Sequence, residues 1–368
     1  MSHKVLRMRI LSFLSLVLIL GATSCERTAE ENDNFNRTKM LENYANNLIK
    51  PNFTDLQNSV TTLKTSISNF TQTPNETNLV SVQTDWLAAY KSWQYCNAFN
   101  FGPAGALGLT RALSEEIATF PVSETKIATA IETPNFNDFN RDSRGFLAIE
   151  YLIFDRTNSE IVNLFNDTKR KEYLIALINH IETKVNTVVN AWNGSYVNDF
   201  TKNNGTDVGS STSQLYNEFV KSFETIKNTK IELPFGKRPG QTKTEPHLVE
   251  GFYSGKSTEI LAEHLKAIEY IYFGKNKQGV QNGLSFKDYV NSVEGGKSLV
   301  SSTEAQWLLV KEKFNTIPRT NSLAYLMDNE PETVEEFRLE LQKHTRFFKS
   351  DMSSVLGIAI TFSSGDGD

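Results

Sequence analysis

One carboxylate stands inside a dense apolar run of the sequence. Residues 146–154 read FLAIEYLIF, and Glu150 is the single charged residue among them. An ionised carboxylate in such a segment is costly to bury unless it is paired, hydrogen-bonded or bound to a metal. Two interpretations follow. Glu150 belongs to a functional site, or it pairs with a nearby arginine such as Arg141, Arg144 or Arg156.

Two neighbouring features could complete a site. Gly145 directly precedes the run, where it would let another backbone approach closely or would mark a helix start. Residues 250–257 read EGFYSGKS and open a second predicted helix. The carboxylate, hydroxyls and N-terminal amides of this stretch suit a polar or anionic ligand, so Glu250, Ser254 and Ser257 are candidate ligand-binding residues. In the alternative interpretation, Ser254 or Ser257 simply caps the helix.

Strong catalytic patterns are lacking in the sequence. It contains no HExxH, GxSxG, P-loop or CxxC motif. His264 follows Glu263 on a predicted helix and therefore points about 100° away from it. His344 lies four residues after Glu340, close enough to pair on a helix surface. A structural role is the favoured interpretation for both histidines. No catalytic residue is assigned.

The elements that must position these residues are helices. Apolar residues recur at three- and four-residue spacing through most of the chain, and convincing alternating strands are lacking. The predicted helical stretches are 41–67, 79–99, 109–119, 144–154, 160–192, 212–230, 256–274, 303–316 and 332–358. The first is expected to bend near Pro51. The second carries one apolar stripe, formed by Val82, Trp86, Ala89, Tyr90, Trp93 and Cys96. Together the stretches indicate an all-α fold of two helical-bundle domains, 38–235 and 236–368, with a groove between them.

A short internal similarity links the two halves. The sequence AIEYLIF at 148–154 returns as AIEYIYF at 267–273, with Ala, Ile, Glu, Tyr and Phe in register. A duplicated bundle would produce this, and so would chance among apolar helical sequences.

The N-terminus predicts the compartment. A basic start, an apolar core shorter than the roughly 20 residues of a membrane span, and small residues before Cys25 predict a lipoprotein signal peptide at 1–25. Cys25 is then the lipidation site and anchors the chain to a membrane; the alternative is an ordinary signal peptide with a coincidental cysteine. Residues 26–37 form a polar, flexible tether. With a net charge of −5 and no Lys/Arg cluster, nucleic acid is not an expected partner.

Several segments together resemble the imelysin family of secreted or lipid-anchored bacterial proteins, also called the M75 peptidase group. They are WLAAYKSWQYCNAFNFGP at 86–103, GFLAIEYLIF at 145–154, EGFYSGKS at 250–257 and the ending ITFSSGDGD. The resemblance implies two helical bundles with the functional site in the groove between them. It also implies a role in iron or haem acquisition, with iron, haem or an envelope uptake protein as partner. The lipid anchor is expected in the outer rather than the inner membrane, and the sequence leaves open whether the protein faces the periplasm or the cell surface.

The family signature GxHxxE is degenerate here. Gly145 and Glu150 occupy their positions, but Leu147 stands at the histidine position. Histidine and glutamate three residues apart lie on one helical face and can ligate one metal, whereas leucine offers no lone pair. The resemblance implies Glu150 as a ligand for iron, and Arg144, Gly145, Glu250, Ser254 and Ser257 as further ligand-binding residues.

Three functions of different classes remain open. The first is an envelope lipoprotein that binds a ligand in iron or haem uptake. The second is a partner-binding or structural lipoprotein whose site has lapsed. The third is an M75-type metallopeptidase, which Leu147 argues against because a metal-bound water needs its protein ligands.

Overall fold

Helices dominate the computed structural model, which describes residues 35–106, 108–109 and 111–363. The predicted signal peptide, Cys25 and residues 26–34 of the tether lie outside the described residues. The α-helices, numbered in chain order, are α1 (Arg37–Asn43), α2 (Lys50–Gln72), α3 (Glu76–Gln94), α4 (Leu113–Ile117), α5 (Glu124–Glu132), α6 (Gly145–Phe154), α7 (Asn158–Leu164), α8 (Thr168–Asn193), α9 (Tyr196–Lys202), α10 (Ser211–Glu224), α11 (Ser257–Phe273), α12 (Phe286–Ser292), α13 (Gly296–Thr316), α14 (Leu323–Asn329), α15 (Pro331–Arg346) and α16 (Met352–Val355).

The all-α prediction is confirmed. Among the described residues there is no β-strand, and one isolated bridge joins Lys275 to Gln281. No helix in this part of the chain is both long and apolar enough to cross a membrane.

Stretches of π-helix interrupt the regular helices. Tyr44–Ile49 joins α1 to α2, and Thr225–Glu232 continues α10. The first one ends two residues before Pro51, which lacks the N–H that a regular helix would use, and its turns are wider than those of an α-helix. The bend expected near this proline stays a prediction. The predicted helix 160–192 is two helices, because Asp167 caps a new one by accepting the N–H of Lys169 at 3.0 Å.

The core positions α6 against α3. The predicted stripe of α3 is buried, including Trp86, Tyr90 and Trp93. The indole N–H of Trp86 donates to the carbonyl of Phe146 at 2.8 Å, and the ring of Tyr90 lies 5.4 Å from that of Phe146. These contacts fix the rotation of α6 and therefore the direction in which Glu150 points.

Residues from Asn36 onward form one compact unit. Helix α11 packs against both α3 and α10, so helices on the two sides of residue 235 share contacts. The division into domains 38–235 and 236–368 stays a prediction.

Gly145 starts α6 with a backbone that other residues rarely adopt. Its φ is +79°, and a Cβ there would collide with the carbonyl of Ile117. Both sequence interpretations of this glycine therefore hold: it marks the helix start, and it lets another backbone approach closely.

Replacing Gly145 by alanine should destabilise the fold by about 2–4 kcal/mol, because the new side chain adds a backbone collision to an unfavourable φ. Gly295 is the matched control, since its φ is +72° and a Cβ there would meet nothing within 4 Å. Gly295→Ala should cost only about 1 kcal/mol. Urea unfolding of both variants measures the difference, and equal losses would contradict the collision.

Candidate functional site

Glu150 lies at the contact between α6 and the EGFYSGKS turn. Its side chain is buried, with 1% of its surface exposed. Its Oε1 atom accepts the backbone N–H of Ser254 at 2.8 Å. The fold thus brings together two segments that the sequence singled out separately. One backbone amide of this turn, that of Ser254, does bind a carboxylate, and that carboxylate is the protein's own.

The arginine alternative for Glu150 is wrong. Arg141 pairs with Glu115 at 3.1 Å and Arg156 with Asp155 at 3.3 Å. Among the described residues, no cationic side chain lies within ion-pair distance of Glu150.

The predicted ligand residue Arg144 points elsewhere. It is 2% exposed and donates to the backbone carbonyls of Phe136 and Asp138, the latter at 2.6 Å. Its guanidinium lies 4.0 Å from Glu116, a buried carboxylate that also contacts His180 at 2.8 Å. Arg144 therefore belongs to a separate buried cluster with Glu116 and His180, and the fold does not bring it together with Glu150.

Burial raises the pKa of Glu150 to about 7. Hydrogen bonds from Ser254 lower it in part, and the nearby carboxylate of Glu250 raises it further. Near neutral pH the group is consequently divided between its neutral and charged forms, unlike an ordinary glutamate.

Glu250 is the centre of a buried polar network. It is 3% exposed, and its two oxygens accept from the hydroxyl of Tyr90 at 2.6 Å and the ammonium of Lys230 at 2.5 Å. Lys230 also donates to Gln94 at 2.8 Å. Burial lowers the pKa of Lys230, and Glu250 opposes that shift. Both oxygens of Glu250 are therefore engaged.

Sequence reasoning missed Lys230, Tyr90 and Gln94 as site residues. A signal for Lys230 exists, since it follows Phe223 and Ile226 at seven- and four-residue spacing and so shares their buried face. Tyr90 was assigned only to the core stripe.

A cavity of about 150 Å³ adjoins this network. Amides, hydroxyls, carboxylates, one ammonium group and aromatic rings line this cavity. The lining residues are Trp93, Asn97, Asn100, Ser114, Ala118, Phe120, Glu218, Lys221, Ser222, Thr225 and Glu250. Behind the wall, the Ser222 hydroxyl lies 2.7 Å from Nε2 of the fully buried His264. Burial lowers the pKa of His264 well below its ordinary value, and the Lys230 ammonium lowers it further, so this imidazole is neutral at pH 7.

The two serines of the turn have structural partners. Ser257 is the first residue of α11, and its hydroxyl accepts the N–H of Leu323 at 2.7 Å. The Ser254 hydroxyl accepts the N–H of Lys256 at 3.3 Å within the turn. Lys256 is the N-cap residue and makes no side-chain capping bond, so the prediction that either serine caps α11 is wrong.

His344 is not the surface residue that its spacing from Glu340 suggested. It is fully buried against the rings of Phe223, Trp307 and Phe348, the closest with its centroid 4.3 Å away. Burial lowers its pKa to about 3, so it packs as a neutral aromatic side chain.

The side chains around Glu150 do not fit a bare iron ion. Leu147 is 2% exposed and supplies no donor atom, one oxygen of Glu150 accepts from Ser254, and both oxygens of Glu250 are engaged. Among the described residues, no group of three or more His, Cys, Asp or Glu side chains is arranged to hold a metal. Glu150 as a metal ligand, like ligand binding by the other predicted residues, stays a prediction.

Removing one partner of the buried pair should be costly. Lys230→Met leaves the carboxylate of Glu250 buried without its cation, and we expect a loss of about 3–5 kcal/mol in the free energy of unfolding. Lys343→Met is the control. Its side chain is 61% exposed and pairs with Glu340 at 2.7 Å, so about 0–1 kcal/mol should be lost. Urea denaturation distinguishes the two, and similar losses would contradict the burial argument.

Glu150 should make stability fall as the pH rises. Its folded pKa, about 7, exceeds the ordinary value of 4.5, so the folded protein keeps a proton that the unfolded chain loses in this range. The free energy of unfolding of the wild type should therefore drop by about 2–3 kcal/mol relative to Glu150→Gln between pH 5 and pH 8. Urea unfolding of both proteins at several pH values measures this, and parallel pH curves would refute it.

Comparisons with known proteins agree with this architecture. The family model described as imelysin matches residues 49–343. The chain is 22% identical to iron-regulated protein A of Synechococcus elongatus over 254 residues, which is 66% of each chain and so just under two thirds of that relative. Two crystal structures are similar at 17% identity, each match covering 89% of this chain and 97% of the other. They are a putative iron-regulated protein A precursor from Parabacteroides distasonis, with a TM-score of 0.70, and an imelysin-like protein from Psychrobacter arcticum, with a TM-score of 0.68. The family match covers well over half of the sequence, and the chain therefore belongs to the imelysin family.

Proposed function

We propose that this protein is a cell-envelope binding lipoprotein that serves iron or haem acquisition. The observation that carries the proposal is the buried carboxylate of Glu150, which lacks a cationic partner among the described residues and lies close enough to Glu250 for the two charges to interact. A fold tolerates such a group at a cost, and sites that bind ligands are where this cost is commonly found. The name of the related iron-regulated protein A supports the connection with iron.

The cavity size favours a small ligand. A volume of about 150 Å³ corresponds to roughly ten water molecules by the same measure, which is too little to enclose a haem. Its walls carry hydrogen-bonding groups, among them Lys221, whose ammonium lies 3.2 Å from Glu218, and Glu250, which pairs with Lys230. Such walls suit the polar end of an organic ferric chelate. In this proposal the chelator, not the protein, supplies the atoms that coordinate iron.

The N-terminal sequence supports the location. Cys25 follows an apolar core and small residues, as expected of a lipid-anchored protein, and the polar tether after it would hold the helical unit away from the bilayer. We propose the outer membrane as the site of anchoring, with the lipid as the contact to the membrane.

Peptidase activity ranks lowest among the three functions. Hydrolysis by a metal-bound water requires a metal held by several protein ligands, and Leu147 removes one of them. A lapsed site in a partner-binding or structural lipoprotein is the alternative that the following experiment distinguishes.

The test is a calorimetric titration of the chain from residue 26 onward, which contains the whole compact unit. Ferric citrate and haem are titrated into the wild type, Glu150→Gln and Leu147→His. We expect the wild type to bind ferric citrate. Glu150→Gln should bind it at least about tenfold more weakly with unchanged helical content, because an amide cannot share a proton with a carboxylate of the chelate as a carboxyl group with a pKa of about 7 can.

Each other outcome has a definite meaning. Binding by Leu147→His alone would identify a lapsed metal site and would replace the proposal by the partner-binding or structural alternative. Equal binding by the wild type and Glu150→Gln would remove Glu150 from the site. Binding of haem in preference to ferric citrate would refute the assignment of a small chelate.

A further inference from the structure

A second cavity lies between α11 and α13 and shares no lining residue with the first. Its volume is about 170 Å³. Apolar and aromatic side chains form most of its wall, namely Ala262, Leu265, Trp307, Val310 and Phe314. Polar side chains complete it, namely Lys266, Glu269, Lys311, Asn315 and Arg319. The cavity thus joins an apolar surface to a cationic rim.

The charges of this rim are unbalanced. Lys311 is compensated by Glu269, whose Oε1 atom lies 3.2 Å from its ammonium. Lys266 and Arg319 have no carboxylate within 4 Å among the described residues. Burial alone lowers the pKa of Arg319, with no acidic neighbour to oppose that shift. Of the three cations at the cavity, Lys266 and Arg319 are therefore the two without a carboxylate partner.

Aromatic rings hold both of these cations in place. The guanidinium carbon of Arg319 lies 3.7 Å from the centre of the Phe314 ring, and the ammonium of Lys266 lies 5.5 Å from that of Tyr270. Such contacts orient a cation. One guanidinium nitrogen of Arg319 donates to Asn315 at 3.2 Å, and its remaining N–H groups can donate to another group.

This cavity includes part of the sequence AIEYIYF at 267–273, which repeats AIEYLIF of the first half. Glu269 occupies in AIEYIYF the position of Glu150 in AIEYLIF. The two environments differ, because Glu150 is 1% exposed whereas the side chain of Glu269 is 19% exposed and paired with Lys311. Trp307 also directs its indole N–H to Glu269 at 3.3 Å. Glu269 of the second copy thus forms part of the wall of a cavity.

We propose that the cavity between α11 and α13 is a second binding site, for a small organic anion with an apolar body. The body would lie on Leu265, Trp307 and Phe314, where it removes apolar surface from water. The acidic group would lie between Lys266 and Arg319, where charge-assisted hydrogen bonds are available. This proposal is independent of the function assigned to Glu150.

The test uses two fluorescent probes with the same aromatic body, added to the chain from residue 26 onward. One is 1-anilinonaphthalene-8-sulfonate, and the other is N-phenyl-1-naphthylamine, which lacks the sulfonate. We expect the wild type to bind the sulfonate more tightly. The double variant Lys266→Gln/Arg319→Gln should bind the sulfonate about tenfold more weakly and the neutral probe within about twofold of the wild type.

Controls separate this site from general charge and from folding. Arg156→Gln/Lys169→Gln removes the same charge from side chains that are 53% and 55% exposed in the first half, and it should not change binding of either probe. Lys266→Gln alone changes an exposed side chain and should weaken only the sulfonate, which keeps the test valid if Arg319→Gln unfolds the protein. Ala262→Trp fills the cavity and should abolish specific binding of both probes.

Other results would overturn the proposal. No sulfonate binding by the wild type, equal binding by the double variant, or an equal loss with the control pair would refute the site. At matched ionic strength benzoate should displace the sulfonate probe and inorganic phosphate should not. Equal displacement by phosphate would refute the requirement for an apolar body.

Discussion

The buried ion pair between Lys230 and Glu250 is the interaction on which the rest of the site depends. It connects the π-helical end of α10 to the turn before α11, and Tyr90 and Gln94 attach both to α3. An uncompensated charge at this depth would cost several kcal/mol, so the three segments are stable only in the arrangement that brings all four side chains together. The π-helix contributes directly, because its wider turns carry Lys230.

Glu150 is placed by the same arrangement. Burial disfavours the charged form of Glu150 and is the larger effect. The negative charge of Glu250, although paired with Lys230, disfavours it further. The turn that begins at Glu250 then offers the N–H of Ser254, which partly stabilises the carboxylate. The outcome is a carboxyl group that changes its charge near neutral pH in the interior of the protein, which is a property of the arrangement and not of the residue.

Leu147 changes what this centre can do without disturbing the packing. It is buried on the same helix as Glu150, where an aliphatic side chain contributes apolar contacts that a histidine would supply less well. The polar side chains around Glu150 are hydrogen-bonding and charged groups, and Leu147 itself offers no donor atom to a metal.

The sequence by itself determined the all-α class, the helix that carries Glu150 and the buried stripe of α3, because three- and four-residue spacing of apolar residues is a local property of a helix. It also identified the turn at 250–257, whose glycines and serines mark a helix start. Only the tertiary structure decided the partners. Three contacts depend on segments that come together from distant parts of the chain. They are Glu150 with Ser254, Arg144 with Glu116, and Lys230 with Glu250. Spacing along one helix gives the direction of a side chain, but the identity and distance of what it meets depend on packing between helices, which no single segment encodes.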